Sequence, residues 1–207
     1  MSRPDRTTQP PTVQLGAASA VLGALLGLVV NLLHGDLPAD PEAALSRVAA
    51  TPGWGLLHLG IIASAVLILG GLWGLSQLAD GPFARALARL SLVVALPGAA
   101  VMLVGIAIDG FATKALADLW ASAPPPERAA AFRLAVAVDD IQTALFHTWA
   151  ALFIGLPFLL MGLSGLLAGG GFPRWLGIVA LIGGAGAAFT GVAGFLQLPE
   201  GAVDSSA

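Results

Sequence analysis

The sequence predicts an all-α integral membrane bundle, five transmembrane helices with a helical extension on the outer side. Of its 207 residues 57% are hydrophobic and only 10% charged, against roughly 25% charged in soluble domains. Mean hydropathy is +0.89, too apolar for a surface that faces water. The apolar residues also fall into five runs, each near the roughly 20 residues needed to cross a hydrocarbon core about 30 Å thick.

Residues 1–13 carry Arg3, Arg6, Pro4, Pro10 and Pro11 and read as a flexible cytoplasmic tail. The bundle takes up residues 14–198, and its first span covers about 15–34. That span ends in Asn31-Leu32-Leu33-His34-Gly35-Asp36, which lacks the small-residue cleavage pattern of a signal peptide, so the helix is read as retained. Pro41-Glu42-Ala43-Ala44-Leu45 starts a short surface helix. The second span, about 54–78, opens on Trp54, and Ala79-Asp80-Gly81-Pro82 turns the chain into the third, about 84–108. Pro97 removes a backbone donor inside that third span and predicts a kink.

Beyond Asp109-Gly110, the spacing of Phe111, Ala115, Leu116, Leu119 and Trp120 predicts an amphipathic helix that Pro124-Pro125-Pro126 ends. Glu127 restarts a helix with an acid in its first turn, where the helix dipole favours it. From there to Leu167 Pro157 is the one strong breaker, which predicts a continuous rod with any bend near Pro157. Only its second half, about 141–168, belongs in lipid; about 110–140 forms an extramembrane helical hairpin. Gly169-Gly170-Gly171-Phe172-Pro173-Arg174 is a tight turn, the fifth span covers about 174–197, and 199–207 is a polar tail. In that last span Gly183, Ala187 and Gly191, and likewise Gly186, Thr190 and Gly194, form two rows of small residues. Such rows let backbones approach, within the bundle or against a second copy or another membrane protein.

Charge sets the expected orientation. Arg3, Arg6, Arg85, Arg89 and Arg174 oppose Asp5 and Asp80 on one side, a net of +3, while Arg47, Lys114, Arg128 and Arg133 face ten acids on the other, a net of −6. The positive-inside rule then puts the N-terminus in the cytoplasm and the C-terminus outside. No basic cluster suggests nucleic acid, so the bilayer is the expected partner. One Lys against eight Arg, with abundant Ala, Gly and Pro, is a composition associated with bacterial genomes rich in G and C. With no Cys, disulfides, thiolate catalysis, iron–sulfur clusters and Cys-based zinc sites are excluded.

Chemistry concentrates at the outer level. His34 ends the first span, His58 lies one turn into the second, Asp109 ends the third and His147 lies about two turns into the fourth. On a helix Asp140, Thr143 and His147 share a face within about 60°. Polar groups at this depth need partners, so His34, His58, Asp109, Asp140, Thr143 and His147 are expected around one polar recess. Asn31 extends it from one turn away. The recess serves as a structural polar layer, or as a small-ligand or proton site. Zinc held there would make it a metal-assisted hydrolase, although no H-E-x-x-H pair is present. Haem b with His58 and His147 as axial ligands is a further alternative. Ser64, Ser76, Gln77, Ser91, Ser164 and Thr190 read as bonded back to their own helices. The expected function is therefore that of a non-enzymatic binding or scaffold protein with an outer polar recess.

The Asn31-Leu32-Leu33-His34 exit, followed by Trp54-Gly55-Leu56-Leu57-His58, resembles uncharacterised small multi-pass membrane proteins of bacteria over residues up to about 80. That resemblance implies a multi-pass fold and carries no activity, cofactor or catalytic residue.

Overall fold

A computed structural model describes residues 10–168 and 172–196. Most of the expected tail, the Gly169-Gly170-Gly171 turn and the polar C-terminal end lie outside the described residues. Helix α1 runs Pro11–His34, earlier than the expected start, because Pro11 supplies a preset φ at a position where no N–H is needed. Helix α2, Pro41–Ala49, is capped by Asp40, whose Oδ2 accepts from the Ala43 N–H at 2.8 Å. Helix α3 is Trp54–Ser76 and α4 is Pro82–Ala107, entered through Gly81 at φ +83°, a conformation that favours glycine. A π-helical turn, Ile108–Thr113, leads into α5, Lys114–Ser122. Helix α6 is Pro125–Trp149, a second π turn covers Ala150–Gly155, and α7 and α8 are Leu156–Leu167 and Arg174–Phe195. The described residues contain no strand, and the fold is an all-α bundle. Five helical stretches are long and apolar enough to cross a membrane: Pro11–His34, Trp54–Ser76, Pro82–Ser122, Pro125–Leu167 and Arg174–Phe195.

The amphipathic helix expected beyond Asp109-Gly110 continues the third span without a break, through the π turn as one rod to Ser122. A glycine costs a helix only about 1 kcal/mol, and Gly110 is needed here, since a Cβ on it would run into the side chain of His58. The second rod also stays continuous, and its irregularity is the π turn that ends two residues before Pro157. A wider turn accommodates a proline ring that would crowd the carbonyl one turn back. Pro97 lies inside α4 without ending it, and next to it Gly98 lets α4 close onto the backbone of Leu152 and Phe153 in that π turn.

Each long helix packs chiefly on its neighbours in the chain: α1 on α3, α3 on α4, α4 on α7, α7 on α8. Helices α1 and α8 therefore form two edges of the bundle. The α1–α3 seam is built from small residues, with Gly16 against Gly74, Gly71 against Ala20 and Gly27 against Ser64. Ala84, Ala88, Ser91, Ala95 and Ala99 do the same for α4, the middle helix. Ser64, Ser91 and Ser164 are buried and donate across helices rather than within them, to the carbonyls of Gly23, Pro157 and Ala84, each at 2.8 Å. Ser76 and Gln77 do bond back to Trp73 of their own helix. On α8, Gly177, Gly184 and Gly191 are buried against the second rod, whereas Gly183 and Gly186 face open space. Leu32, Leu56 and Ile182 are 70% exposed or more, an apolar surface suited to hydrocarbon rather than water. A second, smaller core of Leu45, Val48, Trp54, Ala117 and Ala135 joins α2, α5 and α6 to the start of α3.

Candidate functional site

Three chain segments converge at the end of the bundle where α1 stops and α3 begins. His58 comes one turn after Trp54, so its ring reaches back to the Trp54 carbonyl, with Nδ1 at 2.7 Å. His34, at the last turn of α1, turns its Nδ1 onto the Gly35 carbonyl, also at 2.7 Å. A carbonyl only accepts, so both nitrogens carry the proton and donate. Gly35 makes this possible with φ +60°, and Arg47 of α2 holds the exit by donating to the carbonyls of Asp36 at 2.9 Å and His34 at 3.3 Å. Asp109 is the second residue of the π turn, and its backbone carbonyl accepts from Trp54 Nε1 at 3.0 Å. The rings of His34, Trp54 and His58 lie against each other at centroid distances of 4.5 to 5.2 Å.

The centre is His58, 0% exposed. Its Nε2 lies 2.9 Å from Asp109 Oδ2. The carboxylate is thus the ion-pair partner of the buried ring, although the contact falls outside strict hydrogen-bond geometry. His34 and Asp109 are half-buried. One ring nitrogen of each histidine and a carboxylate oxygen of Asp109 all lie within 4.8 Å of one another.

No family model, curated protein or solved structure matches the chain. The site is accordingly read from its own geometry.

The six residues expected at one recess divide. His34, His58 and Asp109 meet. Asp109 and Thr143 also line an adjoining groove of about 220 Å³ between the end of α4 and α6, together with Gly105, Asp139 and Gln142. Gln142 bridges it, donating to the Gly105 carbonyl and accepting from Thr113 Oγ1, both at 3.4 Å. Asp140 is exposed and lies outside that lining. Next to it, loss of hydrating water and then the charges of Asp109 and Asp140 raise the carboxyl of Asp139 above the usual carboxylate range. His147 points elsewhere: its Nδ1 is 3.2 Å from the Thr190 carbonyl of α8 and its ring covers Gly194. Asn31 bonds back to Gly27 of its own helix. Haem ligation by His58 and His147 does not fit, because one ring is closed in by Trp54, His34 and Gly110 while the other is wedged against α8.

Sequence reasoning missed the positioning roles of Trp54, Gly110 and Arg47. The sign was present in Gly110, an otherwise unfavourable residue directly after the acid that ends an apolar run.

Proposed function

We propose that the chain is a multi-pass membrane protein of non-enzymatic binding or scaffold type, with the His34, His58 and Asp109 cluster as its ligand-binding place. The observation that carries this reading is the convergence of one ring nitrogen from each of His34 and His58 and a carboxylate oxygen of Asp109 within 4.8 Å of one another. A ligand reaching fully buried His58 past half-buried His34 and Asp109 would meet all three groups.

The charge split supports an N-terminus in the cytoplasm, a C-terminus outside and the cluster near the outer surface. Each charged residue costs roughly 2.5–3.5 kcal/mol at mid-bilayer. Arg128, Arg133, Asp139 and Asp140 together would cost about 10 kcal/mol or more, so the first half of the long rod stands outside lipid. A reporter active only outside the cytoplasm will work when fused after Ala123 and fail at Gly170; the reverse pattern overturns the orientation. Native mass spectrometry in mild detergent tests the binding place. A mass adduct, metal or organic, is expected on the wild type and lost in His58→Gln; bare protein in both overturns the reading.

A further inference from the structure

We propose that His34, His58 and Asp109 form a site for a late first-row divalent metal ion of the zinc class. The inference rests on the reading of this cluster as a binding place and names its ligand. Two imidazoles and one carboxylate are the donor set such ions prefer, whereas magnesium and calcium favour all-oxygen shells. Four-coordinate zinc with bonds near 2.0–2.1 Å holds its donor atoms about 3.4 Å apart. His58 Nε2 lies 2.9 Å from Asp109 Oδ2, and one ring nitrogen of each histidine and a carboxylate oxygen of Asp109 lie within 4.8 Å of one another, so one ion fits after side-chain rotations that turn Nε2 of His34 inward.

The second observation concerns the far side of each ring. Both Nδ1–H groups are committed to backbone carbonyls, of Gly35 and Trp54. This fixes the tautomer and leaves Nε2 of each neutral ring as a bare lone pair, the outer-shell arrangement typical of metal-binding histidines. The rival arrangement is a protonated His58 paired with Asp109. The same 2.9 Å contact would hold that pair when no ion is bound, and a metal would displace the shared proton. Asp109 is itself held in place, by Trp54 Nε1 on its carbonyl and by the π turn that carries it. Such turns often occur where a side chain must be re-aimed for a function. Three protein ligands also leave a fourth position for water or a further ligand from the half-buried side. The ligands come from three separate helical stretches, and no local two-ligand motif therefore announces them in the sequence.

The test uses the full chain in detergent, stripped with a chelator and dialysed against zinc, with cobalt(II) as a visible-absorbing substitute. One equivalent of zinc per chain is expected, with a rise in melting temperature that magnesium does not reproduce and a ligand-field band for cobalt. His34→Gln and Asp109→Asn should each weaken zinc binding by more than the roughly 10- to 100-fold typical of outer-shell changes. His147→Gln, which alters a ring facing α8, should bind as the wild type does. His34 is half-buried at a helix end, so its variant keeps the test open if changes at His58 prevent folding. Melting that ignores zinc, or full zinc occupancy in both ligand variants, overturns the metal site. An organic adduct dependent on His58 with no metal overturns the metal while leaving the binding place standing. No adduct of either kind removes both.

Discussion

A histidine placed on a helix by periodicity has a known angle but not a known neighbour, and His58 and His147 show the difference. His58 faces Asp109 and is fully buried, whereas His147 spends its Nδ1 on the Thr190 carbonyl of another helix. Because no partner is shared, their losses should add within about 0.5 kcal/mol. Thermal or denaturant unfolding in detergent of His58→Ala, His147→Ala and the double variant checks this, with about 1–3 kcal/mol expected for His58. A clearly smaller double loss would mean that a common network joins them. The three residues that do meet were legible from depth alone, since His34, His58 and Asp109 each lie at the same end of an apolar run. The serines were not legible. A hydroxyl on an apolar helix can bond within its own turn or across to a neighbour at equal sequence cost, and Ser64, Ser91 and Ser164 take the second course.

At the level of the element, glycine spacing decides which helices touch. Gly16 and Gly74 stand backbone to backbone, and a Cβ on either would meet the other's Cα. Gly74→Leu should therefore force α1 from α3 and cost on the order of 1–3 kcal/mol or more, the usual range for overpacking. Gly183→Leu has nothing to meet within 4 Å and should leave the unfolding midpoint of the monomer unchanged. If a second copy packs on that row, the same change will lower the oligomer fraction in light scattering without unfolding the chain. The rows on α8 were visible in the sequence, but not that one residue from each row, Gly191 and Gly194, turns inward while Gly183 and Gly186 look out. The row along α1 went unread because glycine in an apolar run looks the same whether it meets lipid or another backbone. The π turns were also hidden, since neither the acid inside the first nor the proline just after the second distinguishes an inserted residue from an ordinary helical turn.

For the molecule as a whole, the five apolar runs gave the number of candidate spans, and the length of the stretch from Glu127 to Leu167 already set one of them apart; the structure adds the second. At 41 and 43 residues, Pro82–Ser122 and Pro125–Leu167 are about twice a membrane crossing. Cysteines placed at Arg133 and Asp139 should react with a membrane-impermeant thiol reagent in intact cells. Protection at both positions would place this half against lipid or inside the protein. The way the helices follow one another also bears on how the chain is made. Because α1 pairs with α3, α3 with α4, and α4 with α7, these seams close between segments that leave the ribosome in close succession, and only the seam of α8 itself waits for the last helix. A nascent chain that has reached Ser76 already holds both sides of its glycine seam, and one that has reached Thr113 holds all three cluster residues. Assembly can thus proceed helix by helix during insertion, with α8 docking last onto a framework that is already complete.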